Sequence, residues 1–295
     1  MEKPLLSQFK PLWRATCLSV VLSFVSGGGS GTGSALSAKT MLAWGGNTPA
    51  NAEDKLKKII GSEVFGELFR YRQNYLGVKT QPQWFNVLQM ARKLSPKIST
   101  PLSQLHQSAW NNPRTKPLDF DWVEPMTPGL KSRLVAEGTE LVMALHYPTF
   151  TKLAQQTPEK GDDQLMALLQ KARGEYSTNW PNWFAQTWDY GGCTHLGSGL
   201  HLQLWQELQR LQGQAPLFAP ELTELRNDLL TDILQVRSFC QPQSQVLKEL
   251  SQFFRAPGLN TAELQNLKKR GVAVQKGKNL EFNCLHEKAN CHFGA

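Results

Sequence analysis

The sequence predicts a mainly α fold, an irregular multi-helix domain with a small C-terminal β-hairpin. Three observations carry that prediction. Leucines, isoleucines and valines recur every three or four residues through most of the region after residue 52, the spacing of one buried helix face. Prolines and glycines fall at the ends of these stripes, where helices start and stop. Only the last 25 residues place β-branched and apolar residues on both sides of a turn, Lys276-Gly277-Lys278-Asn279.

The first 52 residues read as a leader. Lys3, Lys10 and Arg14 precede an 11-residue apolar run, Ala15 to Val25, and small residues follow it. A basic start, a short apolar core and a small-residue exit form the secretory signal pattern. A spanning helix needs ~20 apolar residues. The run therefore predicts export to a periplasmic or extracellular space with no stable membrane span after processing. Cleavage after Ala35, Ala38 or Ala52 fits the small residues there. A phosphate-binding loop in the glycines 27–33 is excluded by spacing. No register gives glycines at i, i+2 and i+5, and the run closes Gly33-Ser34-Ala35 rather than Gly-Lys-Ser/Thr.

Four cations against Glu2 in this leader leave +5 of the chain's +8 for the rest. That excess is mild and scattered, apart from Lys55, Lys57 and Lys58 and the run Lys268 to Arg270. No basic and aromatic stripe marks a nucleic-acid track, so no nucleic-acid partner is expected.

The remaining elements follow in order. Leu56, Ile60, Val64 and Leu68, widened by Ile59 and Phe65, predict a first helix. A second opens at Pro82 and is expected to end before Pro96, making 53–110 an N-terminal helical subdomain. Four prolines in 111–129 predict a connection. A main helical domain is expected over 130–270. It starts with a long helix carrying Leu130, Leu134, Leu141 and Leu145 and stopping at Tyr147-Pro148. Asp162 or Asp163 is placed to cap the next helix, and Gly174 to close it. Leu200, Leu204, Leu208 and Leu211 mark another, as do Leu222, Leu225, Leu229, Ile233 and Val236 after Pro220. Val246, Leu250 and Phe253 give one more, and Asn260 with Glu263 frames a capping box. Residues 271–295 complete the chain as the hairpin and a disulfide-closed tail.

Four cysteines follow the leader: Cys193, Cys240, Cys284 and Cys291. In an exported chain an even number favours bridges. Four cysteines allow three connectivities, and the simplest pairs Cys284 with Cys291 locally and Cys193 with Cys240. The rival use of these residues is a metal or haem site. Cys193-Thr-His195, Cys284-Leu-His286 and Cys291-His292, with His201 nearby, bring thiolate and imidazole together. The spacing matches neither paired Cys-x₂-Cys nor Cys-x-x-Cys-His, so no cofactor is expected.

The stretch NWPNWFAQTWDYGGCTH, residues 179–195, concentrates three of nine tryptophans into nine residues. Flat rings can stack on sugar faces or anchor a partner. Trp180, Trp183, Trp188 and Tyr190 are therefore the candidate contact residues, for an envelope protein or a glycan. The bland use of the same rings is a core plug where helices meet.

Within it, YGGCTH resembles over six residues the nucleophile turn of the CHAP family of cell-wall amidases and peptidases. That resemblance implies Cys193 as a nucleophile with His286 as a remote base. Gly192 stands where the family has its oxyanion glutamine, and His195 where it has an aromatic residue. A carboxylate hydrolase has a separate candidate pair, Glu137 and Glu140, three apart on the expected helix. Asp119 and Asp121 lack the glycine of a calcium loop, since Glu124 occupies that position. The sequence expectation is thus an exported, disulfide-stabilised α-helical binding or assembly protein of the cell envelope. An envelope hydrolase is the alternative, and a metal- or haem-binding protein the second.

Overall fold

A computed structural model describes residues 51–111, 118–186 and 191–284. Residues 1–50 of the expected leader, His286, Cys291 and His292 lie outside the described residues, as do Trp188 and Tyr190, whereas Ala52, the last leader residue, is buried at the start of the first helix. Eight α-helices and four short strands appear among those described. They share one apolar core, which draws residues from Ala52 through Val274. The mainly α class therefore stands, with small antiparallel strand pairs. No described helix is long and apolar enough to cross a membrane.

Helix α1 (Ala52–Leu76) buries Leu56, Ile60, Leu68 and Tyr71 and bends at Gly61, where φ is +82°. Helix α2 (Gln81–Trp110) does not end before Pro96 but runs on through Pro96 and Pro101. Each internal proline costs roughly 3 kcal/mol. Against that, α2 buries Trp84, Phe85, Val87, Leu88, Leu94, Ile98 and Leu102, each contributing about 1.5–3 kcal/mol. Burial wins.

Residues 130–145 are the main correction. The long helix expected there is instead a hairpin of β1 (Leu130–Val135) and β2 (Glu140–Leu145), paired from Leu130↔Leu145 to Val135↔Glu140. Ala136, Glu137 and Gly138 all take positive φ, which turns the chain back and which no helix allows. Leu134, one of the four leucines of the expected stripe, is 52% exposed.

A two-stranded sheet leaves edge groups that need partners. Serines one turn apart on α2 supply them along β2. Ser95 donates to the Met143 carbonyl at 2.6 Å, Ser99 accepts from Met143 N–H at 2.8 Å, and Ser103 accepts from Leu141 N–H at 3.2 Å. Ser177 extends the row, accepting from Leu145 N–H at 3.0 Å.

Helices α3 (Tyr147–Ala154) and α4 (Gly161–Arg173) follow. Helix α4 starts ahead of both expected caps. Asp162 sits inside its first turn, buried and bonded to Thr157, and Gly174 closes it as expected. Strands β3 (Phe184–Gln186) and β4 (Gly192–Thr194) pair antiparallel. Helices α5 (Leu200–Gln214), α6 (Ala219–Gln235) and α7 (Gln243–Phe253) match the expected stripes, and α8 (Thr261–Lys276) follows them. Arg92 of α2 pairs with Glu221 and Glu224 of α6, and Arg173 of α4 with Asp228, tying these helices through half-buried charges.

At the C-terminal end the placement differs from expectation. Val272 and Val274, read as strand residues, belong to α8, which runs to a left-handed cap at Gly277. The capping box of Asn260 and Glu263 starts that helix. Its inner face is Leu267, Arg270 and Val274, and the arginine hides the stripe. Arg270 belongs inside because its guanidinium binds the carbonyls of Ile233 and Val236 at the end of α6.

Candidate functional site

The tryptophan-rich segment starts where α4 stops. Gly174, with φ at +76°, ends the helix, and the chain then folds back across its C-terminus. Asn182 N–H donates to Ala172 O at 2.7 Å, and its side-chain amide donates to Lys171 O at 2.9 Å. These bonds satisfy the carbonyls a helix end leaves open. They also fix the segment from Trp180 to Phe184 on a rigid base.

The rings then part. Trp180 is 54% exposed and stacks on Phe184, with centroids 5.5 Å apart and planes at 28°. Phe184 lies close over the backbone of the opposite strand. A side chain at Gly192 would collide with its ring and with the Ala185 carbonyl, so glycine is required there. Trp183 points inward, 1% exposed, with its ring 6.0 Å from that of His201. It is a core residue, which corrects its place among the contact residues: alternation along β3 and the turn before it sends neighbouring rings to opposite sides.

Beneath the strands lies a buried polar cluster. Thr194 Oγ1 donates to Asp232 Oδ2 at 2.5 Å, and His201 Nε2 approaches the same oxygen at 2.8 Å. Sharing that carboxylate assigns the proton of His201 to Nε2. Hydroxyl, imidazole and carboxylate are all present, yet the hydroxyl is spent on the acid, and Thr194 and His201 are fully buried. This arrangement locks α5, α6 and β4 together and presents no nucleophile. Burial holds the half-buried His195 imidazole below its ordinary value, and the neighbouring His201 adds to the effect. Glu249 of α7 accepts from the N–H groups of Gly197, Gly199 and Leu202, so a protein carboxylate already fills the start of α5.

Cys193 and Cys240 form a disulfide spanning 47 residues of sequence, with Cα atoms 5.2 Å apart. It joins β4 to residues 238–240, which extend the strand pair in parallel through Thr194 N–H to Ser238 O and Cys240 N–H to Thr194 O. Glu281 adds a further rung at Phe239. Cys284 is buried in one cluster with both bridged cysteines. Its expected partner, Cys291, lies outside the described residues.

The other sequence candidates do not assemble. Cys193 is bonded through sulfur to Cys240, which removes the thiol that the CHAP resemblance implies. Glu137 sits in the β1–β2 turn and Glu140 opens β2, so the shared helix face does not exist. Asp119 accepts from Asp121 N–H in a local turn. No group of three or more His, Cys, Asp or Glu placed to hold a metal occurs among the described residues. One feature was missed by sequence reasoning, a cleft of about 330 Å³ lined by Tyr75, Asp121, Glu124, Lys131 and Thr149. Its central carboxylate is already engaged, since Glu124 binds Lys131 and both the N–H and hydroxyl of Ser132. No motif announced that cleft, because its lining comes from four separate segments.

No protein-family model matches this chain, and neither a curated protein nor a solved structure matches it.

Proposed function

We propose that this protein is an exported, disulfide-stabilised binding component of the cell envelope, and that it engages its partner through Trp180 and Phe184. The basic, short apolar leader supports export, and a bridge between Cys193 and Cys240 fits an oxidising space. One observation carries the binding role. A large ring is held out in solvent on a base fixed by the α4 terminus, while its neighbour Trp183 is buried. Folding alone gains little from Trp180 in that position.

Trp180→Ala is expected to leave the circular dichroism spectrum and Tm unchanged and to abolish retention of the protein on isolated envelope material. Loss of fold would make Trp180 a packing residue. Undiminished retention would remove the aromatic pair from the binding surface.

A further inference from the structure

Resting on that binding role, we infer that the Trp180–Phe184 surface takes a neutral oligosaccharide, with one pyranose face laid on the open face of the Trp180 ring. Charge is the first reason. Residues 176–188 contain no Asp, Glu, Lys, Arg or His, in a chain of which 19% is charged. Cations flanking the segment are engaged elsewhere: Lys171 binds Glu207 at 2.6 Å, Arg173 binds Asp228, and Arg133 lies 4.2 Å over the Tyr176 ring. Of these three only Arg133 stays exposed without a carboxylate among the described residues, so an anionic polymer would gain at most one ion pair there, and a neutral one needs none.

Hydrogen-bonding capacity is the second reason. Thr178, Asn182 and Gln186 are exposed within a few residues of the rings along the chain and carry hydroxyl and amide groups. Asn182 is held by its amide nitrogen on Lys171 O, which directs its Oδ1 as a fixed acceptor. Sugars present C–H faces to aromatic rings and hydroxyls to such amides, the mixture of apolar body and polar rim that tryptophan serves. A surface fixed in advance also loses little freedom on binding.

Among the described residues, area favours a small ligand over a protein partner. A stable protein interface covers about 800 Å² per side, whereas one large ring buries about 150–250 Å². The two described rings, stacked on one another, fall well short. The other exposed large apolar side chains, Trp110, Leu134, Leu217, Phe254 and Val272 among them, belong to other elements.

The test titrates the full chain with cellotetraose, maltotetraose and tetra-N-acetylchitotetraose, and with an anionic oligogalacturonate, following the indole N–H signals by NMR. Trp110→Ala serves as control, since Trp110 is 55% exposed on α2. At least one neutral tetrasaccharide should shift the Trp180 signal, with affinity at least about tenfold weaker in Trp180→Ala and unchanged in Trp110→Ala. Absence of any shift with the three neutral probes, equal binding by Trp180→Ala, or preference for the anionic probe would overturn the inference. Retention on envelope material separates the two levels. If Trp180→Ala loses retention but no neutral tetrasaccharide competes with the wild type, the sugar assignment falls and the binding role stands. If Trp180→Ala is retained like wild type, both fall.

Discussion

The two strand pairs of this molecule solve the same problem by different means. In β1–β2 the open edge of β2 is satisfied by a row of serines on α2, and the strand is packed into the core. In β3–β4 the pair is only three residues long, and it is held by a covalent bridge and a buried carboxylate shared by Thr194 and His201. The first pair spends its hydrogen-bonding edge on folding. The second is fixed from behind, which frees its front to carry Trp180 and Phe184 at the surface. A short strand pair can display a ring only if something other than its own burial keeps it in place.

Ring position gives the sharpest contrast. Trp183→Ala removes a fully buried indole and should cost about 3–5 kcal/mol, whereas Trp180→Ala should stay within about 0.5 kcal/mol. Denaturant unfolding of the two variants measures both, and similar costs would erase the distinction between core and surface rings.

Next comes the bridge. Replacing Cys193 and Cys240 together by alanine should cost about 2–4 kcal/mol, because the unfolded chain regains the freedom of the 47-residue loop. Thermal melts should show the same loss when wild type is reduced, and a Tm unmoved by reduction would mean the polar cluster holds β4 unaided.

Ser99→Ala tests the other pair. It strips the acceptor from buried Met143 N–H and should cost about 1–3 kcal/mol. Hydrogen exchange should accelerate at Met143 more than at Cys193, and an unchanged Met143 rate would show that the serine row is not what satisfies that edge.

The smallest effect is on pH. His146 follows β2 and His195 follows β4, and burial lowers both imidazoles below their ordinary value. Lys131 assists at His146 and Glu175 opposes, while His201 assists at His195 and Asp232 opposes. A lowered histidine means that the unfolded chain binds its proton first, so stability is full above pH ~6.5 and declines as pH falls below it. Buried Asp162 and Glu221 and half-buried Asp228 are raised instead, so they act with the opposite sign in more acidic solution. The histidine contribution is therefore read as a difference: Tm should fall less between pH 7.5 and about 5.5 in His195→Gln than in wild type. Parallel curves would assign the pH response to other groups.

The same contrast explains what the sequence disclosed. Helices α5 to α7 are legible because each buries one apolar stripe against neighbours, and helical spacing records that directly. The β1–β2 hairpin was not, because its turn uses Ala136 and Glu137 at positive φ, residues that do not advertise a turn. Continuation of α2 past Pro96 depends on burial against α1 and β2, which no local pattern contains. In the candidate site, the crowding of aromatics was visible in sequence, and the Cys193–Cys240 bridge belonged to the simplest of three open connectivities. Which ring faces out was not, since it follows from Asn182 anchoring the chain on α4.

Intact-mass analysis and disulfide mapping of the protein recovered from its native compartment would test the central claim most directly. An exported, bridged binding protein should be a chain shortened at its N-terminus, with a peptide pair linked through Cys193 and Cys240 that separates only on reduction. A full-length chain whose Cys193 and Cys240 alkylate without reduction would contradict it.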